Sequence, residues 1–103
     1  IMKTINAKEF KNLLKNNNNF QIIDIREPYE YEDGALTNEN IPLDKMMSSL
    51  NKIHRDRPVI IYCQSGKRAS AIIYMLEKEY KLENLYNLEG GYNAIMQEEY
   101  ESI

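Results

Sequence analysis

The chain has 103 residues, 43% of them hydrophobic, and a formal charge of −3 from 13 basic and 16 acidic side chains. This length suits one compact domain with one core, expected to cover residues 1–103. The acidic balance argues against a broad cationic face, so nucleic acid is not an expected partner. No apolar run approaches the roughly 20 residues of a membrane span and no signal-peptide core is recognised, which predicts a cytoplasmic protein without a membrane partner.

The first third of the chain predicts a helix followed by a strand. Asn6 and Glu9 stand at capping-box spacing, and the apolar residues behind them indicate a helix over about Ala7–Lys15. The run Asn16–Asn19 predicts a solvated turn, because asparagine competes for backbone hydrogen bonds and tolerates left-handed geometry. A strand is predicted over Phe20–Ile25.

The rest of the chain continues this alternation. Val59–Tyr62 is the most continuously apolar strand, as expected when both faces are covered, and Leu85–Leu88 is a further strand. Gly90-Gly91 breaks the chain before a final helix. The apolar stripes of the three later helices are Leu43, Met46, Met47 and Leu50; Ala69, Ile72, Ile73, Leu76 and Tyr80; and Tyr92, Ile95 and Met96. Strands alternating with helices predict a parallel α/β sheet.

The only cysteine, Cys63, lies where a predicted buried strand runs into the polar loop Cys63–Arg68 and then a helix. A helix N-terminus presents unpaired N–H groups and a positive dipole end, which stabilise a thiolate. Gly66 lets the loop backbone adopt positive φ, and Lys67 and Arg68 add two cations beside the sulfur. We therefore predict a nucleophilic cysteine, against the alternative of a small buried hydrophobic residue at a strand end.

The cysteine count also bears on the chemistry. One cysteine cannot form an internal disulfide, and the chain shows no CxxC or Cys/His cluster with metal-ligand spacing. A reducing compartment is the natural expectation, and no second thiol is present to resolve a covalent intermediate.

Three segments are expected to converge on one cleft. Ligands of parallel sheets bind outside the carboxyl ends of the strands. Asp24-Ile25-Arg26, Cys63–Arg68 and Gly90-Gly91 would all lie there.

Four segments, in this order and spacing, resemble the rhodanese-homology domain. They are Asp24-Ile25-Arg26-Glu27-Pro28-Tyr29-Glu30-Tyr31, Asn40-Ile41-Pro42-Leu43, Val59–Arg68, and Leu88-Glu89-Gly90-Gly91-Tyr92. Each is weak alone, but their combination is specific, and the resemblance covers about residues 3–98. It implies a three-layer α/β fold in which helices flank a central parallel sheet of about five strands.

The resemblance implies a sulfurtransferase of the thiosulfate sulfurtransferase type. The Cys63 thiolate would take the outer sulfur of a small sulfur-anion donor such as thiosulfate, or of another persulfide donor, and pass it to a thiol, a thioredoxin-like protein or cyanide. This chemistry needs no metal or organic cofactor. The implied anion-binding loop comprises Gln64, Ser65, Gly66, Lys67 and Arg68, and the implied supporting residues are Asp24, Arg26, Gly90 and Gly91.

Two departures from the family pattern concern the donor. Gln64 stands where such families often carry arginine, so thiosulfate is expected to be handled less efficiently than some other persulfide donor. A family Gly-His-Ile-Pro-Gly-Ala stretch is replaced at Gly34–Glu39, a region that is also one residue shorter.

Two alternative functions remain open at this point. One is a non-catalytic interaction or regulatory module of the same fold, since fold alone does not fix function. The other is a phosphatase or arsenate reductase, whose loop would place one residue more between cysteine and arginine than the four found between Cys63 and Arg68.

Several side chains have two readings. Asp24 could pair with Arg26 on the pocket floor or accept backbone N–H groups in a strand-end turn. Arg68 could anchor loop carbonyls or touch substrate. His54 is expected to be a solvated loop residue, and Tyr92 could line the cleft.

Overall fold

The computed structural model describes residues 2–16 and 19–101. Four strands, β1 (Lys3–Ile5), β2 (Gln21–Asp24), β3 (Val59–Tyr62) and β4 (Leu85–Leu88), form one parallel sheet in the order β1-β4-β3-β2. The helices are α1 (Ala7–Asn16), α2 (Pro28–Glu32), α3 (Lys67–Tyr80) and α4 (Gly91–Glu101), and a 3-10 segment covers Leu43–Lys52.

The predicted parallel α/β fold is confirmed. The described sheet has four strands rather than about five. At the β2 edge, Asn40 makes a single parallel bridge to Asp24 where a fifth strand would stand. The N–H of Leu43 still donates to the Ile25 carbonyl at 3.1 Å, but Leu43 is already the first residue of the 3-10 segment. The predicted turn Asn16–Asn19 includes two residues, 17 and 18, that lie outside the described residues.

The sheet lies between two helical layers, which is why β3 is apolar throughout. All four β3 residues are buried. Alternate residues face opposite sides of a strand, so β3 contributes to both halves of the core. The 3-10 segment and α3 cover one half, which includes Ile23, Met46, Val59, Ile61, Ile73, Leu76 and Leu85. Helices α1 and α4 cover the other, formed by Ile5, Phe10, Ile60, Tyr62, Leu88 and Ile95.

In the three later helices, the predicted apolar stripes are wrong at three positions. Met47, Tyr80 and Met96 are exposed by 39%, 41% and 37%. For Met47 the reason is that this segment is 3-10 helical and is interrupted by non-helical backbone at Ser49, where φ is −125°; Met46 and Ser49 are its buried residues. In the described part of the chain, no helix is long and apolar enough to cross a membrane.

Candidate active site

The sulfur of Cys63 lies at the N-terminus of α3, directly after β3. Gly66 adopts a φ of +99° and turns the loop so that its N–H donates to Cys63 Sγ at 3.1 Å. The N–H of Ala69, in the first turn of α3, donates to the same sulfur at 3.4 Å. Cys63 itself is fully buried. The sulfur therefore accepts hydrogen bonds from two backbone N–H groups at the positive end of a helix dipole.

The N-terminus of α4 holds this loop through two backbone hydrogen bonds. Tyr92 N–H donates to the Cys63 carbonyl at 2.9 Å, and Asn93 N–H donates to the Gln64 carbonyl at 3.0 Å. This approach requires glycine at position 91, which has a φ of +61° and where a Cβ would lie 2.4 Å from the Cys63 oxygen. Helix α4 thereby binds the loop carbonyls, and the loop N–H groups are left to face the sulfur.

Two further contacts hold Gly66 in the loop, one from backbone and one from a side chain. The backbone of Gly90 lies against Gly66, where a Cβ on Gly66 would stand 3.4 Å from the Gly90 nitrogen. The buried side chain of Asn87 donates from Nδ2 to the Gly66 carbonyl at 3.3 Å. Both predicted glycines are thus brought to the loop, together with an asparagine that the sequence reading did not single out.

Asp24 and Arg26 form a buried ion pair beside the loop. Arg26 Nη2 donates to Asp24 Oδ2 at 2.8 Å, and Arg26 Nε donates to both carboxylate oxygens at 3.1 Å. The backbone N–H of Arg26 also donates to Asp24 Oδ1 at 2.8 Å, so the ion pair and the strand-end turn coexist. Burial lowers the pKa of Arg26, but the hydrogen bonds and charge of Asp24 outweigh it and raise that pKa above its ordinary value.

Tyr62 connects the Asp24–Arg26 ion pair to the segment Gly34–Glu39 through two hydrogen bonds. Its hydroxyl donates to Asp24 Oδ2 at 2.7 Å and accepts the Leu36 N–H at 2.9 Å. Burial, followed by the hydrogen bond to Asp24, raises the pKa of Tyr62 above its ordinary value. The phenol is therefore held protonated between a carboxylate and a backbone donor.

Gln64 links the buried ion pair to α4. Its Oε1 accepts a hydrogen bond from Arg26 Nη1 at 2.8 Å, and its Nε2 donates to Asn93 Oδ1 at 2.6 Å. The residue after the cysteine is thus a neutral amide with both of its polar atoms engaged.

The two loop cations differ in their surroundings. Arg68 binds the Glu30 carboxylate through two hydrogen bonds, Nη1 to Oε1 at 2.8 Å and Nη2 to Oε2 at 3.0 Å. Of the two alternatives for Arg68, anchoring of the loop carbonyls is not what the structure shows, because both hydrogen bonds of the guanidinium go to Glu30 of α2. Hydrogen bonding to Arg68 lowers the pKa of Glu30, and the same bond raises the pKa of Arg68. Lys67 is exposed and makes no ion pair with any described residue, and Ser65 is an exposed loop residue.

A pocket of about 390 Å³ opens beside the loop. The ring of Tyr92 forms part of its wall, with the Arg26 guanidinium carbon 4.4 Å from the ring centroid. The lining residues are Arg26, Tyr29, Glu30, Asp33, Gln64 and Tyr92. The expectation that Tyr92 lines the cleft is confirmed, and His54 is exposed in a loop as predicted. A larger pocket of about 430 Å³ lies beside α1, and none of its lining residues belongs to the cysteine loop Cys63–Arg68.

Sequence reasoning assigned no role to Glu30, Asn93 or Tyr62. Glu30 did carry a signal, because it stands three residues after Glu27 and accepts the Glu27 N–H at 3.0 Å, as in a capping box. The pairing of Glu30 with Arg68 joins residues 38 positions apart and becomes visible only in the fold.

Comparisons with known proteins agree with this geometry. The chain matches the Rhodanese-like domain family over residues 6–98. The uncharacterized protein YqhL of Bacillus subtilis (strain 168) is 39% identical over 93 residues, which cover 89% of this chain and 71% of that protein. A sulfurtransferase of Allochromatium vinosum is 28% identical over 93 residues, covering 88% of this chain and 85% of that protein.

The same family emerges from the fold. The crystal structure of a rhodanese-like domain protein from Staphylococcus aureus has a TM-score of 0.83 at 32% identity and covers 91% of each chain. On sequence and on structure, the chain belongs to the rhodanese-like domain family.

Proposed function

We propose that this protein is a sulfurtransferase that carries a transferable sulfur on Cys63. The observation that carries the proposal is the pair of N–H donors, from Gly66 and Ala69, directed at Cys63 Sγ. Such donors at a helix N-terminus favour an anionic sulfur over a neutral one. The name of the Allochromatium vinosum relative, sulfurtransferase, supports the same reaction class.

The proposed reaction has two displacement steps. The Cys63 thiolate attacks the outer sulfur of a donor, the donor S–S bond breaks, and the leaving group departs with the bonding electron pair. With thiosulfate, sulfite leaves and Cys63 carries a persulfide. An acceptor thiolate then attacks the terminal sulfur and the Cys63 thiolate leaves, whereas cyanide as acceptor departs as thiocyanate. Neither step requires an external oxidant or reductant.

The surroundings of Cys63 set two conditions on this cycle. Because Cys63 is fully buried, side chains at the loop must shift before a donor sulfur reaches it. Because these 103 residues contain one cysteine, an acceptor thiol must come from outside them. A small thiol or a thiol protein of the thioredoxin type meets the second condition.

Intact-protein mass spectrometry tests the proposal. Purified protein is measured before and after thiosulfate or cysteine persulfide, and again after cyanide, and Cys63→Ser is treated in parallel. We expect the wild type to gain one sulfur atom that cyanide removes, and Cys63→Ser to gain none while keeping the wild-type melting curve. An aryl phosphate assay runs alongside.

Two results would overturn the proposal. If neither donor adds sulfur to a folded wild-type protein and the aryl phosphate is not hydrolysed, the sulfurtransferase proposal fails in favour of a non-catalytic binding module. If sulfur is absent and the aryl phosphate is hydrolysed in a Cys63-dependent way, the loop works on phosphate esters.

A further inference from the structure

The pocket beside the cysteine loop is large enough for a small organic molecule. Its volume is about 390 Å³, and Gln64, the residue after Cys63, forms part of its wall. Ligand pockets in proteins begin at about 300 Å³. A small thiol that takes sulfur from Cys63 would therefore place the rest of its structure in this pocket, and the pocket wall would then discriminate between acceptors.

Two ion pairs neutralise most of the charge at this pocket. The guanidinium of Arg26 is paired with the buried carboxylate of Asp24, and the carboxylate of Glu30 is paired with Arg68. Asp33 also forms part of the wall, but it is exposed and makes no ion pair with any residue that the structure describes. The carboxylate of Asp33 therefore gives the pocket an unbalanced negative charge.

The backbone fixes the position of this carboxylate. Asp33 caps the C-terminal end of α2, where its N–H donates to the Glu30 carbonyl at 3.2 Å. Its side chain forms no hydrogen bond within the described ranges of the chain. The oxygens of Asp33 are therefore available to a molecule bound in the pocket.

Tyr29 adds an open aromatic surface to the same wall. Its side chain is 73% exposed. Among the described residues, no lysine or arginine makes a cation–π contact with its ring. The ring of Tyr92, by contrast, already contacts the Arg26 guanidinium. The ring of Tyr29 can therefore contact a cation supplied by a ligand.

An unpaired carboxylate and an open aromatic ring favour the same ligand group, an ammonium. The carboxylate attracts an ammonium through charge and hydrogen bonds, and the face of the ring attracts it through the ring quadrupole. The same carboxylate repels an anionic group. Because the pocket adjoins the cysteine loop, the ammonium and the reacting thiol fit best as two groups of one small molecule.

We propose that this pocket binds a small aminothiol as the sulfur acceptor, with Asp33 and Tyr29 recognising its ammonium group. The inference rests on the proposed sulfurtransferase function and concerns the second step of that cycle. The acceptor thiolate attacks the terminal sulfur of the Cys63 persulfide, the S–S bond of that persulfide breaks, and the Cys63 thiolate leaves with the bonding electron pair. The product is the persulfide of the aminothiol, so one S–S bond forms, one breaks, and charge is conserved.

Thiols that differ mainly in charge test this inference. The probes are cysteamine, which carries an ammonium group, 2-mercaptoethanol, which is neutral, and mercaptoacetate, which carries a carboxylate. Cys63 is loaded from thiosulfate or cysteine persulfide, excess donor is removed, and the loss of sulfur to each thiol is followed by quenched reactions and intact mass. Ratios of rate constants are compared between wild type and variants, because the intrinsic reactivity of each thiol then cancels.

We expect Asp33→Asn to lower the ratio of the cysteamine to the 2-mercaptoethanol rate constant about threefold at low salt, and to raise the mercaptoacetate ratio by about as much. Both changes should shrink as salt rises from about 50 to about 500 mM, because the lost charge is screened. A change of pocket shape would not move a cation and an anion in opposite directions. Glu32→Gln is the matched control, since Glu32 is an exposed carboxylate of α2 outside the pocket wall, and it should leave both ratios nearly unchanged.

Tyr29→Leu tests the aromatic contribution, and it decides the test alone if Asp33→Asn does not give a wild-type melting curve. Leucine keeps an apolar side chain at this exposed position and removes the ring face. We expect the cysteamine ratio to fall about twofold and the mercaptoacetate ratio to stay nearly unchanged. Tyr74→Leu, at a 61% exposed position on α3, is the control and should change neither ratio.

Two results would contradict the aminothiol pocket and leave sulfur transfer intact. One is that the folded variants pass sulfur to all three thiols with wild-type ratios. The other is that Asp33→Asn changes the three rate constants by one common factor. Failure of the wild type to take sulfur from either donor would instead overturn the proposed function itself.

Discussion

Lys67 is the one cation of the loop whose charge is not balanced by a carboxylate in the part of the chain that the structure describes. It is exposed and stands directly after Gly66, at the first position of α3. A cation there cannot be replaced by Arg68, which Glu30 holds. Lys67 is therefore the side chain of the loop that we expect to attract a small anion over long range.

We expect Lys67→Ala to raise the KM for thiosulfate about threefold at low salt and to leave kcat nearly unchanged, because the lost attraction acts on capture. Steady-state kinetics with cyanide as acceptor measure both constants. Lys78→Ala, in the last turn of the same helix, is the control and should leave KM unchanged. An unchanged KM in Lys67→Ala would remove this side chain from donor capture.

At the residue scale, the sequence predicted positions better than partners. Cys63 and Gly66 could be identified because a lone cysteine before a glycine at a strand-to-helix turn has a local physical meaning. The partner of Arg68 could not, since Glu30 lies 38 residues away and only the fold brings the two together. The same holds for Tyr62, which reads as a core aromatic until its hydroxyl is found on Asp24.

Among the elements, α4 holds the cysteine loop in place, a role that its own sequence does not predict. Its first N–H groups bind the carbonyls of Cys63 and Gln64, so the helix start is a support for the loop as well as a core element. The support depends on the absence of a side chain at Gly91.

We expect Gly91→Ala to destabilise the protein by about 2–4 kcal/mol, because overpacking and a positive φ both act against a Cβ. Urea unfolding measures the loss, and sulfur loading of the folded fraction should be slower because the loop is displaced. Gln97→Ala, at an exposed position of the same helix, is the control and should change stability little. Wild-type stability and loading in Gly91→Ala would show that α4 does not hold the loop.

Elements with a clear periodicity were predicted with close to their observed bounds. The ranges of β3 and β4 agree with the prediction. β3 is a short apolar run, and β4 begins and ends with a buried leucine between the polar residues Asn84 and Glu89. The 3-10 segment was less accessible to sequence reasoning. Leu43 and Met46 satisfy both an α-helical and a threefold repeat, and the non-helical backbone at Ser49 has no signal in the apolar pattern.

At the scale of the whole molecule, the strand order builds the site. Adjacent β2, β3 and β4 place their carboxyl ends side by side, so Asp24, Cys63 and the glycine pair meet although they are far apart in sequence. This convergence was predicted from the general rule for parallel sheets. The ion pairs Arg26–Asp24 and Arg68–Glu30 were not both predicted, because the partner of a charged side chain at the carboxyl edge of the sheet depends on the fold.

The position of Tyr62, in the central strand and hydrogen-bonded to Asp24, links the ionisation of one phenol to the unfolding of the whole molecule. Its pKa is raised in the folded state above the ordinary value of 10.0. Above pH 10 the unfolded chain therefore releases this proton and the folded chain retains it, so stability falls by up to about 1.4 kcal/mol per pH unit. Below that pH the effect is absent.

The protein thus contains an internal optical reporter of its own unfolding. With eight tyrosines and no tryptophan, tyrosinate absorbance can be followed without interference from indole. In an alkaline titration, we expect the tyrosinate signal of Tyr62 to appear only together with the loss of circular dichroism. Tyr62→Phe should remove that late signal, whereas Tyr74→Phe, at a 61% exposed position, should retain it. A Tyr62 signal that develops while the fold persists would mean that the core opens locally at β3 before it unfolds.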